Sequence, residues 1–307
     1  MGICFVFPGQ GSQSVGMGKD LYENFEEVKK LYNIASETLG YDAAALSFNG
    51  PAEELNKTYR TQPCLLVASI AVHTVLNLKN INPSAVASHS LGEYSALVAA
   101  GSLSFGDALK ITEIRGKIMQ EAVPEGRGLM AAILGLEREK ADEICSSVTN
   151  GYVSVANYNC PGQIVISGEK SAVEEAMNRA KESGAKRALP LAVSVPSHCA
   201  LMEDAAKEFE DVLKGISIKD ADIPFINNVE ARFISGAEEI RRALVRQLSQ
   251  PVLWEDCIKA IASKNINTFI EVGPGKVLSG LIKRIEPSAR IFNVENTETL
   301  NKTVPEI

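Results

Sequence analysis

Ile3 to Phe7 is an unbroken apolar run closed by Pro8-Gly9, a pattern that predicts a buried parallel strand rather than a helix. From Asp20 to Leu39 apolar residues recur at helical spacing until Gly40 stops them, and Thr61 to Leu78 reads as a second, more apolar helix. Ala85-Val86-Ala87 is a short strand that runs into Ser88-His89-Ser90-Leu91-Gly92-Glu93 and then into a helix ending near Gly101. Another helix covers Asp107 to Ala122. Strands separated by helices imply an α/β fold with a mainly parallel sheet.

At residue 128 the rhythm changes. Leu129 to Leu134 reads as a strand, Glu137 to Ser147 as a helix, and Tyr152 to Ala156 and Gln163 to Ser167 as two strands joined by the turn Asn157-Tyr158-Asn159-Cys160-Pro161-Gly162. Ser171 to Ser183 is a helix stopped by Gly184, and Lys186 to Ala192 a strand. That is β-α-β-β-α-β, the ferredoxin-like order. It predicts a small domain, 127–194, inserted into a larger one made of 1–126 and 195–307. Helices at Leu201 to Leu213, Ala237 to Leu248 and Trp254 to Ser263 follow, then a strand at Thr268 to Val272. The turn Gly273-Pro274-Gly275, a helix at Lys276 to Ile285, a strand at Arg290 to Val294 and a polar tail complete the chain.

Composition narrows the class. Hydrophobic residues make up 45% and charged ones 22% of the 307, ordinary globular values that exclude a disordered chain. The net charge of −7 argues against a dedicated nucleic-acid binder. Six cysteines without C-x-x-C spacing and three histidines give neither a disulfide framework nor a local zinc site. The N-terminus lacks the basic segment of a signal peptide, and no apolar stretch reaches the roughly 20 residues that span a bilayer. A soluble, cytoplasmic protein is expected.

The chemistry begins at Ser90. A serine on a tight strand-to-helix turn exposes its Oγ at a helix N-terminus, where backbone N–H groups can stabilise an oxyanion. Gly92 supplies the small residue the turn needs on one side, while Ser88 stands where G-x-S-x-G has glycine; the plainer reading is a helix N-cap. Of the three histidines, His73 sits in an apolar helix and His89 is adjacent to Ser90, which leaves His198 in Val195-Pro196-Ser197-His198-Cys199 as the candidate base. More than 100 residues follow His198, so ordinary esterase topology, with its histidine near the C-terminus, does not fit. Pro8-Gly9-Gln10-Gly11-Ser12-Gln13 fails both dinucleotide and P-loop spacing and reads either as a plain βα turn or as a loop lending a backbone N–H beside Gln10 to an oxyanion. Gly273-Pro274-Gly275 carries the same pair of readings, with structure favoured. Arg115, among Ile111, Ile114 and Ile118, reads on its own as snorkelling to water; facing inward, it would need an anion such as a substrate carboxylate.

Phe5-Val6-Phe7-Pro8-Gly9-Gln10-Gly11-Ser12-Gln13, His89-Ser90-Leu91-Gly92-Glu93-Tyr94, Val195-Pro196-Ser197-His198-Cys199 and Glu271-Val272-Gly273-Pro274-Gly275 occur in this order. Together they resemble the malonyl-CoA:acyl carrier protein transacylases over about Cys4 to Val294. The resemblance implies a hydrolase-like α/β core carrying the inserted ferredoxin-like domain, and ping-pong malonyl transfer from malonyl-CoA to the phosphopantetheine thiol of acyl carrier protein. It implies Ser90 as nucleophile, His198 as base, backbone N–H groups of Gln10 and Leu91 as oxyanion hole and Arg115 as the malonyl carboxylate's partner. Gln247, through its backbone carbonyl, would orient the imidazole. No metal and no cofactor are implied, since malonyl-CoA is a substrate and phosphopantetheine comes with the partner; membrane and nucleic acid are not expected partners. Val195-Pro196-Ser197-His198 looks like the free-standing malonyl enzymes, and a chain starting at Met1 suits a discrete enzyme; a monomer is expected. A Ser/His thioester hydrolase and a non-catalytic carrier-binding module are the rival readings. Carrier proteins are typically acidic, so docking on this chain calls for a local basic patch; Lys186-Arg187, Lys276 and Lys283-Arg284 are candidates.

Overall fold

The computed structural model describes residues 2–124, 126–191, 193 and 195–307. In chain order the strands are β1 Ile3–Phe7, β2 Ala85–Ser88, β3 Gly128–Leu134, β4 Val153–Cys160, β5 Gln163–Glu169, β6 Arg187–Pro190, β7 Phe225–Ile226, β8 Phe233–Ile234, β9 Thr268–Val272 and β10 Arg290–Val294. They form two sheets, ordered β10-β9-β1-β2-β7-β8 and β4-β5-β3-β6. The first is parallel except at its β7–β8 edge; the second is antiparallel throughout. Its order is that of a ferredoxin-like unit, with helices Arg138–Ser147 and Lys170–Glu182 packed on one face.

Strand β1 lies inside the larger sheet, covered on both faces, which is why its sequence is continuously apolar. Phe5 and Phe7 enter the core beneath the helices Thr58–Leu78 and Phe105–Ala122, while Cys4 and Val6 join a second core with Trp254, Ile258 and Phe269. In register, Phe7 lies opposite Ser88 and Val6 opposite Glu271. Three parallel strands therefore end together and release their following loops, Pro8-Gly9-Gln10, His89-Ser90-Leu91 and Gly273-Pro274-Gly275, at one edge. Open α/β sheets build their sites at that carboxyl edge.

Several sequence expectations change. The helix expected over Asp20 to Leu39 is two, Lys19–Asn24 and Glu26–Leu39, because Phe25 turns extended (φ −130°, ψ 123°) and packs against the core. Helices Ala43–Asn49 and Ala52–Leu55 and the two-residue strands β7 and β8 are too short for periodicity to register. The asparagine-rich turn is mostly strand: β4 continues to Cys160, leaving Pro161-Gly162 as the turn. Strand β6 stops at Pro190, and Ala192, placed at the end of that strand by the sequence, lies outside the described residues. The polar tail is helical over Thr297–Thr303, started by a capping box between Asn296 and Thr299 and held by Leu300, 1% exposed. Thr58–Leu78 is, after all, long and apolar enough to cross a bilayer, but 78% of its most apolar window is buried, as suits a core helix.

The two sheets are stitched at β4. Tyr158 N–H donates to the Val252 carbonyl at 3.0 Å and Val252 N–H to the Ala156 carbonyl at 2.8 Å. Arg138, stacked over the Tyr158 ring at 3.7 Å, donates to Asp256 at 2.8 Å. The cleft between the sheets opens over the edge where the three loops meet.

Candidate active site

Ser90 occupies the left-handed region at φ 49°, a conformation that costs a non-glycine residue about 1–2 kcal/mol and needs external support. Asn228 supplies it from the loop after β7. Its Oδ1 accepts the Ser90 N–H at 2.7 Å and its Nδ2 donates to the Ser88 carbonyl at 2.6 Å, clamping the turn from both sides. Gly92 permits the sharp exit, for a Cβ there would overlap the carbonyl oxygens of Phe7 and Pro8; at Gly9 it would overlap that of His89. The two loops thus touch backbone to backbone. Ser88, in the glycine position of the elbow, is the fully buried last residue of β2 and is not among the positive-φ residues, so its side chain is accommodated there.

The Ser90 Oγ lies 2.8 Å from His198 Nε2. On the other side of the ring, Nδ1 lies 2.7 Å from the Gln247 backbone carbonyl, which can only accept. That fixes the tautomer: Nδ1 carries the proton and Nε2 is bare toward Ser90. His198 also sits at positive φ, 61°, with its own N–H donating to the Leu248 carbonyl at 3.0 Å. Burial first, and the nearby Arg115 cation second, push its pKa down to about 3, so the ring is neutral at ordinary pH.

Arg115 is buried, 1% exposed, which excludes snorkelling. Its Nη1 donates to Gln62 Oε1 at 2.9 Å and its Nη2 to Gln247 Oε1 at 2.9 Å, while Nη2 also stands 3.4 Å from the Ser90 Oγ. Gln247 completes the arrangement, donating from Nε2 to the Ser90 carbonyl at 2.9 Å and to Glu93 Oε2 at 2.5 Å. Gln10 and Leu91 line the same cleft, and among the described residues neither backbone N–H donates to a protein acceptor. The cleft holds about 230 Å³ and reaches outward past Met130, Asn159 and the exposed Val277.

Three groups here escaped sequence reasoning. Gln62 is a buried amide within an apolar helix, a faint signal that something polar faces it. Glu93 stood inside a quoted motif without a stated role. Asn228 follows a strand of two residues and offers no local signal at all. His89 points away from the Ser90 Oγ: its Nε2 meets Asn159 Oδ1 at 2.9 Å and its ring packs edge-on to Trp254. His73 packs edge-on to Phe5 and Phe7. Of the basic candidates, Lys283 is spent on the Pro287 carbonyl at 2.7 Å, and Arg284 donates to Gln163 Oε1 and the Pro161 carbonyl, each at 2.7 Å. Lys186, Arg187 and Lys276 are exposed.

A strained serine on a strand-to-helix elbow, a neutral histidine behind it and donors left unpaired in front are an arrangement chemically suited to acyl transfer through a serine. Residues 4–299 match the acyl transferase domain family. The malonyl CoA-acyl carrier protein transacylase of Haemophilus influenzae is 51% identical over 302 residues, 97% of each chain, and that of Bacillus subtilis 49% identical over 98% of this chain and 96% of its own. Among solved structures, a malonyl-transacylase in complex with its type II PKS acyl-carrier protein superposes with TM-score 0.98 at 49% identity, covering both chains fully. An acyl carrier protein S-malonyltransferase from Vibrio cholerae gives TM-score 0.97 at 48% identity over 99% of this chain and 100% of its own. The chain belongs to the malonyl CoA-acyl carrier protein transacylase family and is an acyltransferase.

Proposed function

We propose that this enzyme moves a malonyl group from malonyl-CoA to the phosphopantetheine thiol of acyl carrier protein through a malonyl ester on Ser90. In the first half, the Ser90 Oγ bonds to the thioester carbon as its proton passes to His198 Nε2. The oxyanion is received by the N–H groups of Gln10 and Leu91. The C–S bond breaks, and His198 returns the proton to the departing CoA sulfur. In the second half the carrier's thiol gives its proton to His198 and attacks the ester, the C–O bond breaks, and Ser90 recovers its proton. Gln247 acts as the orienter of His198, so no triad carboxylate is required. Arg115 would pair the malonyl carboxylate from beside the nucleophile.

The observation that carries this reading is a buried guanidinium 3.4 Å from the same serine oxygen that His198 engages. A hydrolase for fatty acyl thioesters has no use for a buried cation there, and a decayed binding module has no reason to keep the pair. The reading includes two domains, 1–126 with 195–307 and the inserted 127–194, no cofactor beyond the substrates, a monomer, and a cytoplasmic place in fatty-acid or polyketide synthesis. Intact-protein mass spectrometry after incubation with malonyl-CoA tests it. One malonyl adduct is expected, mapping to Ser90, absent in Ser90→Ala and formed about 10²–10⁴-fold more slowly in His198→Ala. An adduct on Ser88 or a cysteine overturns the assignment.

A further inference from the structure

Directly beneath Ser90 the first turn of helix Gly92–Ala99 buries a carboxyl group, Glu93, at 1% exposure. Both of its oxygens face donors: Oε1 takes the Asn228 N–H at 2.7 Å and Oε2 takes Gln247 Nε2 at 2.5 Å. Two donors and no acceptor favour the ionised form. The oxygen of the same Gln247 amide accepts from Arg115, so cation and carboxylate are linked through a single side chain.

The other titratable groups facing Glu93 are Cys257, on helix Trp254–Ala262, and Tyr94, on its own helix. Burial raises both, which keeps thiol and phenol neutral. His198, reached through Gln247, is neutral as well. The empty site therefore balances one buried cation, Arg115, against one buried anion.

A malonyl group on Ser90 brings a second carboxylate to Arg115. Two carboxylates would then share one guanidinium that is itself 1% exposed, and like charges on such a buried partner do not both stay ionised cheaply. The malonyl carboxylate meets the guanidinium directly, whereas Glu93 stands one amide away, so Glu93 yields. We propose that Glu93 is a positioning residue whose carboxylate balances Arg115 in the empty site and takes a proton from solvent when malonyl arrives, coupling the loading of Ser90 to proton uptake and its unloading to proton release. Burial has already pushed this carboxyl up to about 7, close enough to neutrality for a second anion to carry it across. The inference rests on the malonyl-transfer reading above.

The test is the equilibrium between enzyme plus malonyl-CoA and malonyl-enzyme plus CoA, measured by intact mass over a range of pH. The constant should be level below about pH 7 and then fall by up to tenfold per pH unit, since the loaded enzyme holds the extra proton. Ionisation of the CoA thiol pushes the other way, and the phosphates of CoA are common to both sides. In Glu93→Gln the falling slope should vanish. A wild-type constant that stays flat or rises above pH 7, or a slope that survives in Glu93→Gln, would overturn the proposal. Should that variant fail to fold, a pH-indicator dye decides with the wild type alone at about pH 8: close to one proton taken up per CoA released supports it, and none refutes it. Failure to form any malonyl-Ser90 adduct would instead remove the transfer reading itself.

Discussion

Arg115 shows how far one residue's meaning depends on its surroundings. Along the chain it is an arginine beside an isoleucine stripe, and such residues usually reach for water. In the fold Gln62 and Gln247 hold both ends of its guanidinium, and Tyr94 lies beneath it at 5.6 Å. Truncating one partner of a buried charge pair costs roughly 2–5 kcal/mol, or ~30- to several-thousand-fold. Arg115→Ala should therefore lose malonyl kcat/KM by that factor and gain relatively in acetyl transfer. A variant that still preferred malonyl- to acetyl-CoA as strongly as the parent would strip the residue of its selecting role. His198 makes a second prediction at this scale. A histidine whose folded pKa is depressed keeps its neutral, proton-accepting form as pH falls through the ordinary 6.5, down to about 3. The kcat/KM for malonyl loading should stay level from pH 7 to about pH 5, and an acid limb centred near the usual histidine value would contradict this. Ser90 was legible from its strand-to-helix turn and His198 because only three histidines compete, while Arg115 acquired its meaning from the motifs around it. Asn228, Glu93 and Gln62 were not legible, because a buried polar group earns its place through partners far away in sequence.

Elements formed where local pattern and tertiary packing agreed. The apolar run of β1, the helix stopped by Gly40 and the helices of the smaller sheet carry their own periodicity and ends. Disagreement came where a distant partner decided the outcome. Strand β4 runs on through Asn157 and Asn159, poor strand formers on either side of Tyr158, because Val252 pairs alongside them. The elbow is the sharpest instance, since its geometry is imposed from both sides: Gly92 and Gly9 allow backbone contact, and Asn228 pins the positive φ of Ser90. Asn228→Ala removes the clamp and leaves the Ser90 N–H and Ser88 carbonyl without their partner, each loss worth about 1–3 kcal/mol when buried. Displacing a nucleophile by about 1 Å can cost ~10²-fold in rate. The variant should remain folded by circular dichroism, melt earlier, and load malonyl about 10²-fold more slowly. Loading at the parental rate would mean that the glycines hold the turn unaided.

At the scale of the whole molecule, charge decides how the carrier protein arrives. A net charge of −7 repels an acidic partner, so encounter needs positive charge gathered at the cleft mouth. Arg284 does not serve, because both of its Nη atoms hold the Pro161-Gly162-Gln163 turn to the helix Val277–Ile285. Gln163 lines the cleft, so losing that tie disturbs the wall that both substrates pass. Lys276 is different. It is exposed beside Val277, itself 53% exposed at the mouth, where a carrier's surface would rest while its phosphopantetheine arm reaches Ser90. Rim charge pairs are worth up to about 1 kcal/mol each, so Lys276→Glu, which replaces attraction with repulsion, should raise the KM for acyl carrier protein by roughly 3- to 10-fold. The KM for malonyl-CoA should hold, and the difference should fade in high salt, where the Debye length shrinks to about 3 Å at 1 M. Arg284→Glu, by contrast, should raise both KM values together. If Lys276→Glu left the carrier's KM unchanged at low ionic strength, Lys276 would drop out of the docking patch and the exposed Lys186 and Arg187 would be the next pair to reverse.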